Sequence, residues 1–149
     1  MALVRIDGIN FTYAGAKKSA LINASFEINE GEYVLLTGAS GCGKTTLIRQ
    51  IKPELTPAGA REGSITYDGV AIESLNTKRA AAEIGFVQQN PDNQIVTDYV
   101  WHELAFGLEC MGLSVGVIRR RVAEMAAFFG MESWFRNKTY CLLYTSPSP

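Results

Sequence analysis

The sequence of 149 residues lacks the features that mark several classes of protein. No apolar run approaches the roughly 18 residues of a membrane-spanning helix, and the first ten residues lack the basic start and apolar core of a signal peptide. The three cysteines, Cys42, Cys110 and Cys141, are odd in number and have no metal-type spacing, which favours reduced thiols over a disulfide framework. We therefore expect the chain to remain in the cytosol.

Excess charge of one sign is also absent. The formal net charge is −1, so the chain as a whole has no electrostatic attraction to nucleic acid or anionic lipid. The basic cluster Arg119-Arg120-Arg121 is predicted to lie on a solvated helix face, and the single histidine, His102, has no metal-ligand pattern around it. The hydrophobic share of 47% and the charged share of 19% are typical of a globular domain.

The most informative segment is a glycine-rich loop, Gly38-Ala39-Ser40-Gly41-Cys42-Gly43-Lys44-Thr45-Thr46, with the spacing Gly-x4-Gly-Lys-Thr. Glycines allow backbone N–H groups to wrap a phosphate chain, which Cβ atoms would obstruct. Lys44 can reach the β- and γ-phosphates, the Thr45 hydroxyl suits magnesium, and Thr46 is expected to help hold the α- and β-phosphates. The loop therefore predicts a site for a nucleoside triphosphate with Mg²⁺.

Strand patterns surround this loop. Residues 3–12, 21–28 and 64–67 are predicted strands, and the turn Asp68-Gly69 leads from the last of them into residues 70–72. Residues 33–37, before the loop, and residues 83–87 are predicted to be short buried strands.

Three helices are predicted from apolar periodicity. The first follows the loop and ends at Pro53, the second covers residues 99–111 with Asp98 as its cap, and the third runs from a cap at Ser114 to Gly130. Residues 145–149 change composition abruptly and are predicted to have no secondary structure.

Together, residues 40–46, Phe11-Thr12-Tyr13 and Phe86-Val87-Gln88-Gln89-Asn90-Pro91 resemble the ATP-binding cassette (ABC) ATPases. The resemblance implies an α/β fold: an incomplete P-loop NTPase core of the ABC ATPase type, with an N-terminal antiparallel β subdomain and the start of a helical subdomain. It also implies that Tyr13 stacks on the adenine of ATP, a task that suits a flat π surface, although a core tyrosine at a strand end is the alternative.

The same resemblance implies the remaining site residues. Gln89 aligns with the Q-loop glutamine, whose amide oxygen can meet Mg²⁺ or the attacking water, and Gln88 is the adjacent competitor. ATP binding thus falls to Tyr13 and residues 38–46, catalysis to Lys44 and Gln89, and Mg²⁺ binding to Thr45 and Gln89.

Within the family, residues 89–96 and 103–109 resemble the ATPases of energy-coupling factor (ECF) transporters for vitamins and for cobalt or nickel. The resemblance covers the chain from about Val4 to Tyr140. It implies an ATP-binding subunit at the cytoplasmic face of a membrane, paired with a second ABC ATPase subunit, without nucleic acid. A transmembrane coupling protein is expected to dock near residues 94–106, from Gln94 to Phe106.

Three later motifs of the family do not occur in the 149 residues: Leu-Ser-Gly-Gly-Gln, an apolar strand ending in Asp-Glu, and a switch histidine, a role that His102 does not fill. The aspartate supports magnesium and the glutamate polarises water, so we expect weak Mg-ATP binding and inefficient hydrolysis. Residues 1–140 are predicted to be a partial ABC transporter nucleotide-binding domain. Residues 141–149 are predicted to be an aberrant or disordered tail of a truncated or frameshifted reading.

Other functions compete with this interpretation. A non-enzymatic nucleotide-binding fragment would bind nucleotide without turnover. A soluble ABC ATPase of DNA maintenance would carry long heptads after the Q-loop, but residues 99–130 break at Gly112 and lack them. A P-loop kinase is disfavoured because the β-rich opening precedes the loop, and because the pairing of Tyr13 with Gln89 would have no explanation.

Overall fold

A computed structural model describes residues 2–140 of the chain. The chain divides into two compact units, with the boundary between Ile84 and Gly85. The glycine-rich loop lies in the first unit, and Gln89 lies in the second.

The first unit contains an antiparallel sheet with the strand order β2-β1-β3-β4. Within the described residues its strands are β1 (Ala2–Tyr13), β2 (Leu21–Asn29), β3 (Gly59–Tyr67) and β4 (Val70–Ala71). The turn between β3 and β4 places Asp68 at φ 49° and Gly69 at φ 73°, the conformation for which an Asp-Gly hairpin turn is favoured. The predicted strands at 3–12, 21–28 and 64–67 are confirmed.

Side chains of the sheet form the core of this unit with two short helices, α1 (Lys44–Gln50) and α2 (Thr77–Glu83). Leu47 of α1 and Ala80 of α2 are buried in the same apolar cluster as the inward-facing side chains of the sheet. Those inward-facing side chains include Ile6, Ile9, Phe11 and Ile65. The Lys52 ammonium donates to the carbonyl oxygens of Ala80 (3.2 Å) and Ile84 (2.5 Å), which ties the end of α1 to α2.

Two strand predictions are wrong. Residues 33–37 and 83–87 are not strands, and Tyr33 and Leu35 are 94% and 74% exposed. An extended segment becomes a strand only when a neighbouring strand satisfies its backbone groups, and no strand in the described part of the chain pairs with either segment. Helix α2 was not predicted, although Asn76 caps it by accepting a hydrogen bond from the Lys78 N–H at 2.9 Å.

The second unit contains α3 (Val100–Cys110) and α4 (Val115–Phe128). Gly130, at φ 63°, ends α4 as predicted, and the Met131 N–H donates back to the Ala126 carbonyl at 2.8 Å. Ser114 occupies the predicted cap position without a side-chain bond, whereas the prediction for Asp98 is wrong. The α3 helix begins one residue later than expected, and the Asp98 carbonyl instead accepts from the Thr139 N–H. Among residues 2–140, no helix has both the length and the apolar character needed to span a bilayer.

Candidate nucleotide-binding site

The glycine-rich loop has a backbone that only glycine accommodates at its key positions. Gly38, Gly41 and Gly43 have φ values of 146°, 78° and 97°. A Cβ on Gly43 would lie 2.7 Å from the Ala20 carbonyl oxygen, so the backbone just before β2 packs directly against the end of the loop. The sequence Gly-Lys-Thr thus passes from a left-handed residue straight into α1, and the first N–H groups of a helix have no partner within the helix, so they are available to an anion.

Lys44 lies across the loop that precedes it. Its ammonium nitrogen donates to the carbonyl oxygens of Gly38 and Ala39, both at 2.8 Å, and lies 3.7 Å from the Cys42 sulfur. The cation therefore holds the loop in its curved form from inside. A phosphate bound in the loop would lie close to this positive charge.

The two threonines after Lys44 occupy different environments. Thr45 is exposed, so its hydroxyl is open to a ligand or an ion. Thr46 is only 8% exposed, and its Oγ1 lies 2.8 Å from the Tyr13 hydroxyl oxygen. The structure thereby brings Tyr13 beside the loop, as the proposed base-binding role requires.

Tyr13 stands at the end of β1 with part of its ring in solvent. The residue is 38% exposed, and its ring lies against buried Phe11 in a T-shaped arrangement, at a centroid distance of 5.0 Å and an interplanar angle of 80°. An aromatic surface fixed on one side and open on the other can support a planar base. The core alternative for Tyr13 is not what the structure shows, because the side chain is not buried.

Gln89 lies in the second unit, in the irregular segment that follows α2, and it is exposed. The neighbouring backbone is held by Gln94, which accepts from the Gln88 N–H at 2.7 Å and donates to the Phe86 carbonyl at 2.9 Å. Gln94 was predicted only as one end of a docking region, so this bracing role was missed. The sequence gives only a weak signal for this role, because the local pattern indicates a turn at Asn90-Pro91 and no contact of Gln94.

The predicted docking region, residues 94–106, combines exposed apolar side chains with a fixed backbone. Val96 is 65% exposed, and Trp101 and Phe106 are also exposed. One carboxylate oxygen of Glu103 accepts from the Val96 N–H (3.1 Å), the Thr97 N–H (2.8 Å) and the Thr97 hydroxyl (2.9 Å). Glu103 therefore holds the segment that enters α3.

His102 is half-exposed on α3. Its ring stacks on Trp101 at a centroid distance of 4.9 Å, and its Nε2 lies 3.8 Å from a Glu109 oxygen. These contacts give His102 a packing role on the helix surface.

A glycine-rich loop closed by a lysine and followed directly by a helix defines the P-loop class of nucleotide-binding proteins. A family model described as ABC transporter matches residues 21–142, and the chain therefore belongs to the ABC transporter family. The sequence-based prediction of an ABC-type ATPase by family is confirmed.

Three relatives illustrate the family. A Bacillus cereus protein named only as an ABC transporter ATP-binding protein is 41% identical over 142 residues, which are 95% of this chain and 26% of that protein. The energy-coupling factor transporter ATP-binding protein of Ligilactobacillus salivarius is 38% identical over 89% of this chain and 46% of its own length. The structure of CbiO1 from Clostridium perfringens, part of the ABC transporter complex CbiONQ, has a TM-score of 0.78 at 29% identity, over 95% of this chain and 55% of that one.

The predicted fold class is confirmed by this structural match: an incomplete ABC ATPase core with an antiparallel β subdomain and the first helices of the helical subdomain. The chain spans about a quarter to a half of the length of the curated relatives described above. The match to the family model reaches residue 142, and residues 141–149, the predicted tail, lie outside the described residues.

Proposed function

We propose that the chain is the ATP-binding part of an ECF-type ABC importer, in which binding and hydrolysis of ATP drive uptake of a vitamin or a metal ion. The observation that carries the proposal is the loop of residues 38–43 closed by Lys44, with the open ring of Tyr13 beside it. The family match supports the ATP-binding role, and the similarity to an ECF ATP-binding protein supports the type of transporter.

Each site residue then has a defined task. The Tyr13 ring supports adenine, the N–H groups of residues 38–46 surround the phosphates, and Lys44 exchanges its two carbonyl contacts for β- and γ-phosphate oxygens. The oxygens of Thr45 and Gln89 are hard donors that fit Mg²⁺, and both side chains are exposed. When bound, the ion would neutralise phosphate charge.

The partners follow from the same proposal. A second ABC ATPase subunit pairs with this one, and a transmembrane coupling protein docks on residues 94–106 at the cytoplasmic face of the membrane. The support is the exposure of the apolar side chains of Val96, Trp101 and Phe106 in this segment, together with the bonds by which Glu103 holds the backbone of residues 96 and 97. A rigid apolar surface loses little entropy when a partner covers it.

The test is a binding assay between the purified chain and a purified transmembrane coupling protein of the ECF class in detergent. We expect binding by the wild-type chain and loss of binding by Val96→Asp, because a buried carboxylate without a partner is costly. Val115→Asp is the matched control, since Val115 is equally exposed but lies at the start of α4, outside the proposed surface. Equal binding by both variants and the wild type would contradict the docking site, and no binding by any of them would contradict the ECF assignment.

A further inference from the structure

We infer that the Tyr13 hydroxyl is a positioning group for phosphate binding, because it orients the hydroxyl of Thr46. This inference rests on the proposed function, which gives the Tyr13 ring the adenine and the Thr46 hydroxyl a phosphate. The observation behind it is the 2.8 Å contact between the Tyr13 hydroxyl oxygen and Thr46 Oγ1. One side chain would then serve both ends of the nucleotide.

Packing leaves this contact little freedom. Thr46 is buried on α1, and Phe11, which is almost fully buried, packs against the Tyr13 ring. The contact also joins the end of β1 to α1, the helix that follows the loop, and the two residues are 33 positions apart in sequence. The phenol is therefore held at a fixed distance from the threonine.

The chemistry of hydroxyl groups sets the direction of the bond. Each hydroxyl has one proton to donate and two lone pairs to accept with, while a phosphate oxygen only accepts. When the Tyr13 hydroxyl donates to Thr46 Oγ1, the proton of Thr46 remains free for a phosphate oxygen. In the reverse direction that proton is used on Tyr13, so a bound phosphate selects the first arrangement.

The bond from Tyr13 to Thr46 should also strengthen the bond from Thr46 to the phosphate. Each donor in such a chain polarises the next, so Thr46 becomes a better donor to phosphate when Tyr13 donates to it. Removal of the Tyr13 hydroxyl should therefore weaken phosphate binding while the ring remains available to the base. The substitution thus distinguishes the role of the Tyr13 hydroxyl from the role of its ring.

The experiment is a double-mutant cycle on ATP affinity, measured by calorimetric titration with Mg²⁺ present. The variants are Tyr13→Phe, Thr46→Val and the double variant, with Tyr33→Phe as the control that removes an exposed phenol outside the site. We expect Tyr13→Phe to weaken ATP binding by about threefold to tenfold, the worth of one hydrogen bond. In the Thr46→Val background the same change should have almost no further effect, and Tyr33→Phe should bind within about twofold of the wild type.

Two results would overturn the inference. One is unchanged ATP affinity in Tyr13→Phe, and the other is an equal loss from Tyr13→Phe in the wild-type and Thr46→Val backgrounds. A purely structural role of the hydroxyl would produce the first result, together with a lower midpoint of thermal unfolding. Failure of the proposed function looks different, because the wild-type chain itself would then not bind ATP.

Discussion

The ammonium nitrogen of Lys44 lies 2.8 Å from the carbonyl oxygen of Gly38, so the cation closes the glycine-rich loop from inside. The carbonyl of Ala39 accepts from the same ammonium at the same distance. A phosphate that enters the loop would replace these two neutral acceptors with charged ones, which form stronger bonds. The loop is therefore curved in the absence of a ligand, and we expect binding to exchange the two carbonyl partners of Lys44 for phosphate oxygens.

Replacement of Lys44 by methionine tests this role. Lys44→Met keeps an unbranched side chain but removes the charge, and we expect ATP affinity to fall by at least about 100-fold, because two charge-assisted hydrogen bonds together contribute about 3 kcal/mol or more. Lys78→Met on the exposed surface of α2 is the matched control and should bind ATP as the wild type does. Calorimetric titration gives both affinities, and an affinity of Lys44→Met within threefold of the control would contradict the assignment.

Gly43 should be the glycine of the loop least tolerant of substitution. Alanine there would adopt φ 97° and place its Cβ 2.7 Å from the Ala20 carbonyl oxygen, so we expect Gly43→Ala to lower the free energy of unfolding by about 2–5 kcal/mol. Gly69→Ala is the control, because Gly69 also has positive φ but nothing lies within 4 Å of the added atom. The control should lose only about 1–2 kcal/mol. Urea unfolding measures both, and equal losses would show that the contact with Ala20 does not matter.

Glu103 should stabilise the segment that leads into α3. Glu103→Ala removes the acceptor of three hydrogen bonds from Val96 and Thr97, and we expect a loss of about 1–2 kcal/mol in the free energy of unfolding. Hydrogen exchange should quicken most at the Thr97 amide. Glu109→Ala on the same helix is the control and should change little, since its contact is with His102 at 3.8 Å. Unchanged exchange at Thr97 would refute the proposed role.

We expect the first unit to become less stable at alkaline pH because of Tyr67. Burial and, after it, the nearby Glu83 carboxylate raise the pKa of the Tyr67 phenol above its ordinary value near 10. The folded state therefore holds this proton more tightly than the unfolded state does. Its contribution is complete below the unfolded pKa and is lost as the pH rises through that value toward the folded pKa.

The effect of the Tyr67 proton is measured by comparing the pH dependence of unfolding in the wild type and in Tyr67→Phe. Urea unfolding at pH 8 and pH 11 should show that the wild type loses more free energy of unfolding over this interval than Tyr67→Phe does. Tyr33→Phe removes an exposed phenol and controls for the loss of a tyrosine. Identical pH dependence in the wild type and Tyr67→Phe would contradict the raised pKa.

Local patterns predicted most of the fold because local physics determines those elements. Strand-type residues between turns predicted β1 and β2, the Asp68-Gly69 turn predicted the β3–β4 hairpin, and Gly130 predicted the end of α4. Residues 33–37 have the same β-rich composition as those strands, yet a strand also needs a partner, which composition does not specify. Asp98 is a good capping residue by type, but its backbone is engaged by Thr139, 41 positions later.

In the candidate site, too, some features were predictable from local sequence and others were not. Residues 38–46 were recognisable because the glycine spacing is a direct consequence of phosphate geometry. The contact of Tyr13 with Thr46 joins two elements distant in sequence, and the bonds of Gln94 to residues 86 and 88 depend on how one loop closes. Neither interaction has a spacing rule, so only the structure shows them.

The most direct test of the central claim is a titration of the purified 149-residue chain with ATP in the presence of Mg²⁺, with circular dichroism to establish that the chain is folded. We predict saturable binding of one ATP per chain, competition by ADP, and loss of binding in Lys44→Met. A folded wild-type chain that shows no saturable binding, or that binds ATP equally well after Lys44→Met, would contradict the account.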